Sequence, residues 1–190
     1  MIKRYNDEYF LGVRNITYNY WSDEVEMDLE LKSFIYTFLV KYYLSNYDYS
    51  YVSIEDNINA FLLASLKNDS NNSFEYFNNG IKKLNDKNKR LALEYLNYLE
   101  FNHNKVLSFM NNNDIYLALI ASIKHHKGYE LIENLIDIGR KNKNDYLYLW
   151  TDETCNYEYY NRIGFEKVLE YDVNLYNKKI KTFIYRLKVK

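Results

Sequence analysis

Residues 115–123, IYLALIASI, are apolar at every position but Ser122, and the run stops abruptly at KHHKG. A strand without a wet face needs cover on both sides, so this stretch asks for a place in the middle of a sheet rather than at its edge. The chain then enters GYELIENLIDIGRKNK, where Leu131, Leu135 and Ile138, with Ile132 and Ile136, recur at helical spacing. That spacing predicts an amphipathic helix, and its basic last turn suits the negative end of the helix dipole. DYLYLWT, residues 145–151, reads as the next strand.

Around this centre the remaining elements fall into order. In EMDLELKSFIYTFLVKYYLS, residues 26–45, Leu29, Leu31, Phe34, Ile35, Phe38, Leu39 and Tyr42 mark one buried helical stripe. SYVSI and INAFLLASL flank Glu55-Asp56-Asn57 and predict an antiparallel hairpin, with Asn57 suited to a left-handed turn position. Two or three helices are expected between Asn68 and Asn113, the clearest being RLALEYLNYLEF with Leu91, Tyr95, Leu96 and Leu99 on one side. CNYEYYNRI predicts a short helix starting at Thr154 or Cys155, and FEKVLEYDV a strand. KTFIYRLKV alternates Phe183, Tyr185, Leu187 and Val189 with Thr182, Ile184, Arg186 and Lys188, a strand with one buried face. Residues 1–20 allow a short strand and a helical turn in either order.

No linker or repeat divides the 190 residues, which suffice for one core burying about 70% of the unfolded surface. The expectation is a single α/β (α+β) domain spanning residues 1–190, with a central, mixed but mostly antiparallel twisted sheet flanked by helices and a helical insertion at about 68–113. The net charge of -1 offers no excess positive field for nucleic acid or an anionic membrane. No apolar run approaches the roughly 20 residues of a membrane span. One cysteine, Cys155, forbids an internal disulfide, and no signal-peptide pattern opens the chain, so a cytoplasmic location is expected. The 23 tyrosines carry little weight individually, whereas the five glycines should each mark a positive φ or a close approach.

Two segments carry chemistry. A buried strand running through a short turn into a helix presents unpaired N–H groups to an anion, and His125, His126 and Lys127 add donors just before Gly128. One strand later, Tyr160, Asn161, Arg162, Ile163, Gly164 and Phe165 read Tyr-x-x-x-Gly-Phe, with Gly164 fit to cap the short helix and Phe165 to enter the core. In this order the two segments resemble the GCN5-related N-acetyltransferase (GNAT) superfamily. That family marks its acyl-CoA site by Gln/Arg-x-x-Gly-x-Gly/Ala after the fourth strand and Tyr-x-x-x-Gly-Phe after the fifth. Here the first reads His125-His126-Lys127-Gly128-Tyr129-Glu130, a partial match, and the second matches in full. The resemblance covers about Asp48 to the C-terminus.

The resemblance implies transfer of an acyl group, acetyl in the simplest case, from acyl-CoA to a primary amine, with no metal. It implies that backbone near Ile120 pairs with the pantetheine amide and that N–H groups of Lys127 to Glu130 hold the pyrophosphate. Asn156 and Tyr160 would reach the thioester end, with Tyr160 as general acid, since a phenol of pKa about 10 keeps its proton at neutral pH. Acyl-CoA and an amine acceptor, small molecule or peptide, are the partners so implied; nucleic acid and membrane are not, and a homodimer stays open. Two departures keep a non-catalytic binding or assembly module as the alternative. Glu130 sets a carboxylate beside the pyrophosphate site, and IYLALIASI lacks the Glu that many members use as base. Asp23, Glu24, Glu26, Asp28 and Glu30 fall where the family builds its acceptor site, but read more simply as a solvated acidic helix start, since Asp and Glu are favoured in first turns. His125 and His126 with Asp152 or Glu153 lack metal-site spacing, and Cys155 has no histidine near it in sequence to make it a nucleophile.

Overall fold

The computed structural model describes residues 1–20 and 27–189. The chain runs β1 (Ile2–Arg4), α1 (Phe10–Tyr20), α2 (Leu29–Tyr43), β2 (Tyr51–Ile54), β3 (Ile58–Leu66), α3 (Ser73–Ile81) and α4 (Asp86–Leu107). It continues through β4 (Ile115–Ser122), α5 (Lys127–Asn142), β5 (Tyr146–Asp152), α6 (Glu158–Arg162), β6 (Glu166–Leu175) and β7 (Lys178–Lys188). The strands form one sheet in the order β1-β2-β3-β4-β5-β7-β6, antiparallel throughout except for β4 beside β5. The mixed, mostly antiparallel sheet is therefore as expected.

Each face of the sheet has its own core. Helices α1 to α4 cover one face around Phe38, Phe61, Leu99 and Tyr116, and α5 covers the other around Leu62, Ile115, Leu131 and Leu135. Helix α2 starts where Asp28 accepts from the Leu31 N–H at 2.8 Å, and the same carboxylate accepts from Asn88 Nδ2 of α4 at 2.8 Å. One N-cap thus satisfies an orphan donor and ties two helices together. Leu29, expected on the buried stripe, is 77% exposed because it opens the helix before the stripe meets the sheet.

Two local expectations are corrected. Asn57 is not left-handed; the hairpin turn closes through Glu55 N–H to the Asn57 carbonyl at 3.2 Å, and β2 slips register between Ser53 and Ile54 instead. The left-handed pair is Tyr176–Asn177, at φ 52° and 62°, and it joins β6 to β7 in the two-residue geometry that matches strand twist. Strand β7 does not have a single buried face: Thr182, Phe183, Ile184 and Tyr185 are all buried, because β7 lies between β5 and β6 with cover on both sides.

The feature that creates a site is the failure of β4 and β5 to stay together. They pair at Ile115–Leu147 and Tyr116–Tyr148 only. Asp114 pins this closed end, accepting from the Asn111 N–H at 2.7 Å and the Tyr146 N–H at 3.1 Å. Immediately beyond it β4 bulges against β3: Leu63 faces Leu119 and Ala64 faces Leu117, leaving Ala118 as the extra residue. Ala118 and Leu119 both turn to the α1–α4 face. A bulge bends its strand and raises the local twist. From Leu117 onward the edge of β4 toward β5 has no strand partner among the described residues.

Candidate active site

Between the splayed strands lies a cleft of about 900 Å³, at the upper end of small-molecule sites. Its lining draws on both cores: Ile132, Tyr159 and Tyr160 from the α5 face, and Leu39, Tyr43, Tyr95 and Leu99 from the α2–α4 face. The cleft therefore passes through the sheet.

At the α5 end the wall is rich in basic side chains. Lys124, His125, His126 and Arg162 line it, and Arg162 Nη2 donates to Asn156 Oδ1 at 3.3 Å. His126 turns the chain into α5 with φ 65°, and the His125 and His126 rings meet edge-on at 3.8 Å. In the first turn of α5 the Lys127 N–H donates to the Lys124 carbonyl and the Glu130 N–H to the His126 carbonyl, at 3.3 and 3.0 Å. The N–H groups of Gly128 and Tyr129 are left without an acceptor among the described residues.

The residues singled out from the sequence separate accordingly. Ile120, His125, His126, Gly128, Tyr129, Asn156 and Tyr160 all line the cleft. Lys127 and Glu130 do not; their backbone donors are used internally, and their side chains pair with each other at 2.8 and 2.9 Å. Glu55 completes this network through Lys124 and, at 3.8 Å, Lys127. The carboxylate feared beside an anion site is thus neutralised three residues from its partner, the i,i+3 spacing on a helix surface. Gly128 has neither a positive φ nor a crowded protein neighbour: an added Cβ would meet Ser122 Cβ at 3.4 Å and Ile120 Cδ1 at 3.9 Å, ordinary contacts. The expectation for glycines fails there as far as the protein's own packing goes.

Helix α6 is shorter than expected, starting at Glu158, yet Tyr160 sits at its middle. Its ring packs on Phe165, Tyr159 and Tyr185 at centroid distances of 5.7, 5.8 and 5.8 Å. No hydrogen-bond partner engages its hydroxyl among the described residues, and burial pushes the phenol above its ordinary range, with the Cys155 sulfur next in effect. Cys155 opens onto the cleft, but the protein around it and the Asp152 carboxylate beside it push its thiol up to about 11. A thiol held so high is a poor nucleophile. Gly164 has φ 96°, and the Phe165 N–H that follows donates to the Tyr160 carbonyl at 2.9 Å. An L side chain is strained at that φ, so Gly164→Ala should lower unfolding free energy by about 1–2 kcal/mol. Denaturant unfolding indistinguishable from wild type would remove that role.

Sequence reasoning gave no place in the cleft to Asp152, Trp150 or Arg162, nor to the walls supplied by α2 and α4. Asp152 ends β5, where Oδ2 accepts from Tyr98 OH at 2.6 Å and Oδ1 from Thr154 Oγ1 at 2.6 Å. Trp150 Nε1 donates to Tyr116 OH at 2.9 Å. Of the acidic run, Asp23, Glu24 and Glu26 lie outside the described residues, Asp28 is the α2 cap, and Glu30 is exposed.

No family model and no curated protein matches the sequence. Solved structures do. A protein from Desulfovibrio desulfuricans assigned to the GNAT acetyltransferases is 14% identical, with 100% of this chain and 99% of that chain covered and a TM-score of 0.58. The polyamine N-acetyltransferase of Drosophila melanogaster, which forms N-acetylagmatine, is 12% identical over 99% of each chain at a TM-score of 0.59. The ribosomal-protein-S18-alanine N-acetyltransferase of Escherichia coli is 12% identical, covering 100% of this chain and 94% of that chain at 0.56. The chain has the fold of the GNAT N-acetyltransferases. Among the described residues no helix is long and apolar enough to cross a membrane.

Proposed function

We propose that the chain is a GNAT-superfamily enzyme that transfers an acyl group, acetyl in the simplest case, from acyl-CoA to a primary amine. The observation that carries this reading is the cleft through the sheet, where β4 and β5 part after two paired residues and one end is lined by basic side chains and unpaired amides. An unpartnered β4 edge near Ile120 suits the amide groups of a pantetheine arm, which can complete the broken ladder. The Gly128 and Tyr129 N–H groups, with His125, His126, Lys124 and Arg162, suit a diphosphate. Because nothing among the described residues demands a glycine at 128, its missing side chain is best explained by the space a ligand needs.

At the reacting centre an amine nitrogen attacks the thioester carbonyl carbon, and the C–S bond breaks with its electron pair on sulfur. The Tyr160 hydroxyl, unpartnered and in the wall, is the donor for that developing thiolate. With the phenol pushed upward, complete transfer to sulfur runs uphill, so the O–H acts first as a hydrogen-bond donor and regains a proton as the amine nitrogen loses its own. On this reading residues 68–113, with α3 and α4, are an insertion in a single domain. Of the two motives for a non-catalytic relative, the Glu130 carboxylate is paired with Lys127 outside the cleft.

Titration calorimetry with acetyl-CoA tests the reading. We expect saturable binding with Kd between about 1 μM and 1 mM, weakening as salt screens the basic side chains of the wall. Heats that never saturate would overturn it.

A further inference from the structure

We propose that the half of the cleft on the α2–α4 face is an acceptor site for a primary amine carried on a flat apolar body, an arylalkylamine in chemical class, with Asp152 receiving its ammonium. This rests on the transferase reading above and names the second substrate of the same cleft.

Basic and acidic side chains are divided along the cleft. Lys124, His125, His126 and Arg162 all stand among its lining residues near α5 and α6, while Asp152 is the one carboxylate among the described lining residues. An anionic co-substrate and a cationic acceptor would be drawn to opposite parts of it. Asp152 faces the α4 side, since its Oδ2 accepts from Tyr98 of that helix at 2.6 Å. Tyr98 in turn packs edge-on against Trp150 at 5.6 Å, and Trp150 is fixed by its bond to Tyr116. The carboxylate is therefore aimed before any acceptor arrives, and Tyr98 is a positioning residue.

The surrounding wall is apolar and aromatic: Leu39, Tyr43, Tyr95, Leu99 and Trp150. Such walls suit ring stacking and cation–π contact with an amine on an aromatic body. A long acyl chain would also favour them, but it would leave Asp152 desolvated with no cation, a costly arrangement that an ammonium avoids. The carboxylate decides between the two occupants.

The chemistry closes without another reagent. The ammonium gives one proton to an Asp152 oxygen, and the freed nitrogen lone pair forms the C–N bond. The C–S bond breaks, and the second nitrogen proton passes by way of Tyr160 to the thiolate, leaving an amide and free thiol. Asp152 returns its proton to solvent. This supplies the base that β4 lacks.

Acetyl-CoA binding is measured first, then thiol release with 2-phenylethylamine, tryptamine, spermidine and a lysine-containing peptide. We expect kcat/KM for the arylalkylamines to exceed the others at least about tenfold, since an unpaired second charge is expensive in an apolar wall. Asp152→Asn should raise KM for 2-phenylethylamine at least about tenfold, with acetyl-CoA affinity within about twofold. Should that variant fold poorly, 2-phenylethanol in the wild-type protein serves instead: without an ammonium it should inhibit at least about tenfold more weakly than a non-transferable tertiary analogue, N,N-dimethylphenylethylamine. Preference for spermidine or the peptide, an unchanged KM in Asp152→Asn, or equal inhibition by the alcohol and the tertiary amine would each overturn the acceptor assignment while leaving the transferase reading standing. Failure of acetyl-CoA to bind at all is the different outcome that removes both.

Discussion

Tyr160→Phe should lower kcat for acetyl transfer by about a hundredfold or more, the usual worth of a positioned proton donor, with acetyl-CoA affinity within about twofold. The substitution is clean because only the hydroxyl is lost. The ring keeps its contacts with Phe165 and Tyr185, and no protein hydrogen bond is broken among the described residues. Stability should therefore change by less than about 1 kcal/mol. The loss should also be constant from pH 6 to 9. Burial raises the phenol, so it stays protonated across that range and contributes no alkaline limb of its own. Tyr157→Phe is the matched control, since the Tyr157 ring stacks on Phe183 at 4.4 Å and does not line the cleft. Unchanged turnover in Tyr160→Phe, or an equal loss in Tyr157→Phe, would take the donor role from Tyr160.

Much of this arrangement was legible because it is written in periodicity. The apolar run that became β4, the helical spacing of α5 and the Tyr160–Phe165 corner each fix a local structure from neighbouring residues alone. The acyl-CoA site was expected only through the family resemblance. Nothing in IYLALIASI tells Ala118 from Leu119 as the residue that slips, since both are apolar and both suit a central strand. The walls from α2 and α4 were hidden for a related reason. Tyr95 and Leu99 belong to the apolar stripe read from the sequence, and a stripe does not distinguish a side chain that meets the core from one that meets a cavity. Asp152 entered the sequence reading only as a metal ligand without the right spacing, and its importance comes from Tyr98, far away along the chain. The Lys127–Glu130 pair was accessible, since residues three apart on a helix are neighbours. The motif assigned both to the cofactor site, but a backbone position in a helix start does not oblige its side chain to face the ligand.

A second large effect is expected from acid, and it enters through a buried imidazole on α4. His103 of α4 lies among the rings of Tyr42, Tyr43 and Tyr116 at 5.5, 6.3 and 5.3 Å, and its Nδ1 has no partner among the described residues. Burial holds it neutral, with its pKa lowered to about 4 from an ordinary 6.5. Between those values the unfolded chain binds a proton that the folded chain refuses. Stability therefore rises with pH through that window and is lost as pH falls through it, by at most about 3 kcal/mol. Asp28, Glu55 and Glu170 are lowered from their ordinary carboxylate values, so their own losses come at lower pH, below about 4.5. His103→Phe keeps a ring in the cluster and gives up no hydrogen bond at Nδ1. Denaturant unfolding of the variant should match wild type near pH 7.5 and fall much less between pH 6.5 and 5. Parallel stability curves for the two proteins across that window would show that the His103 proton is not what the folded state excludes.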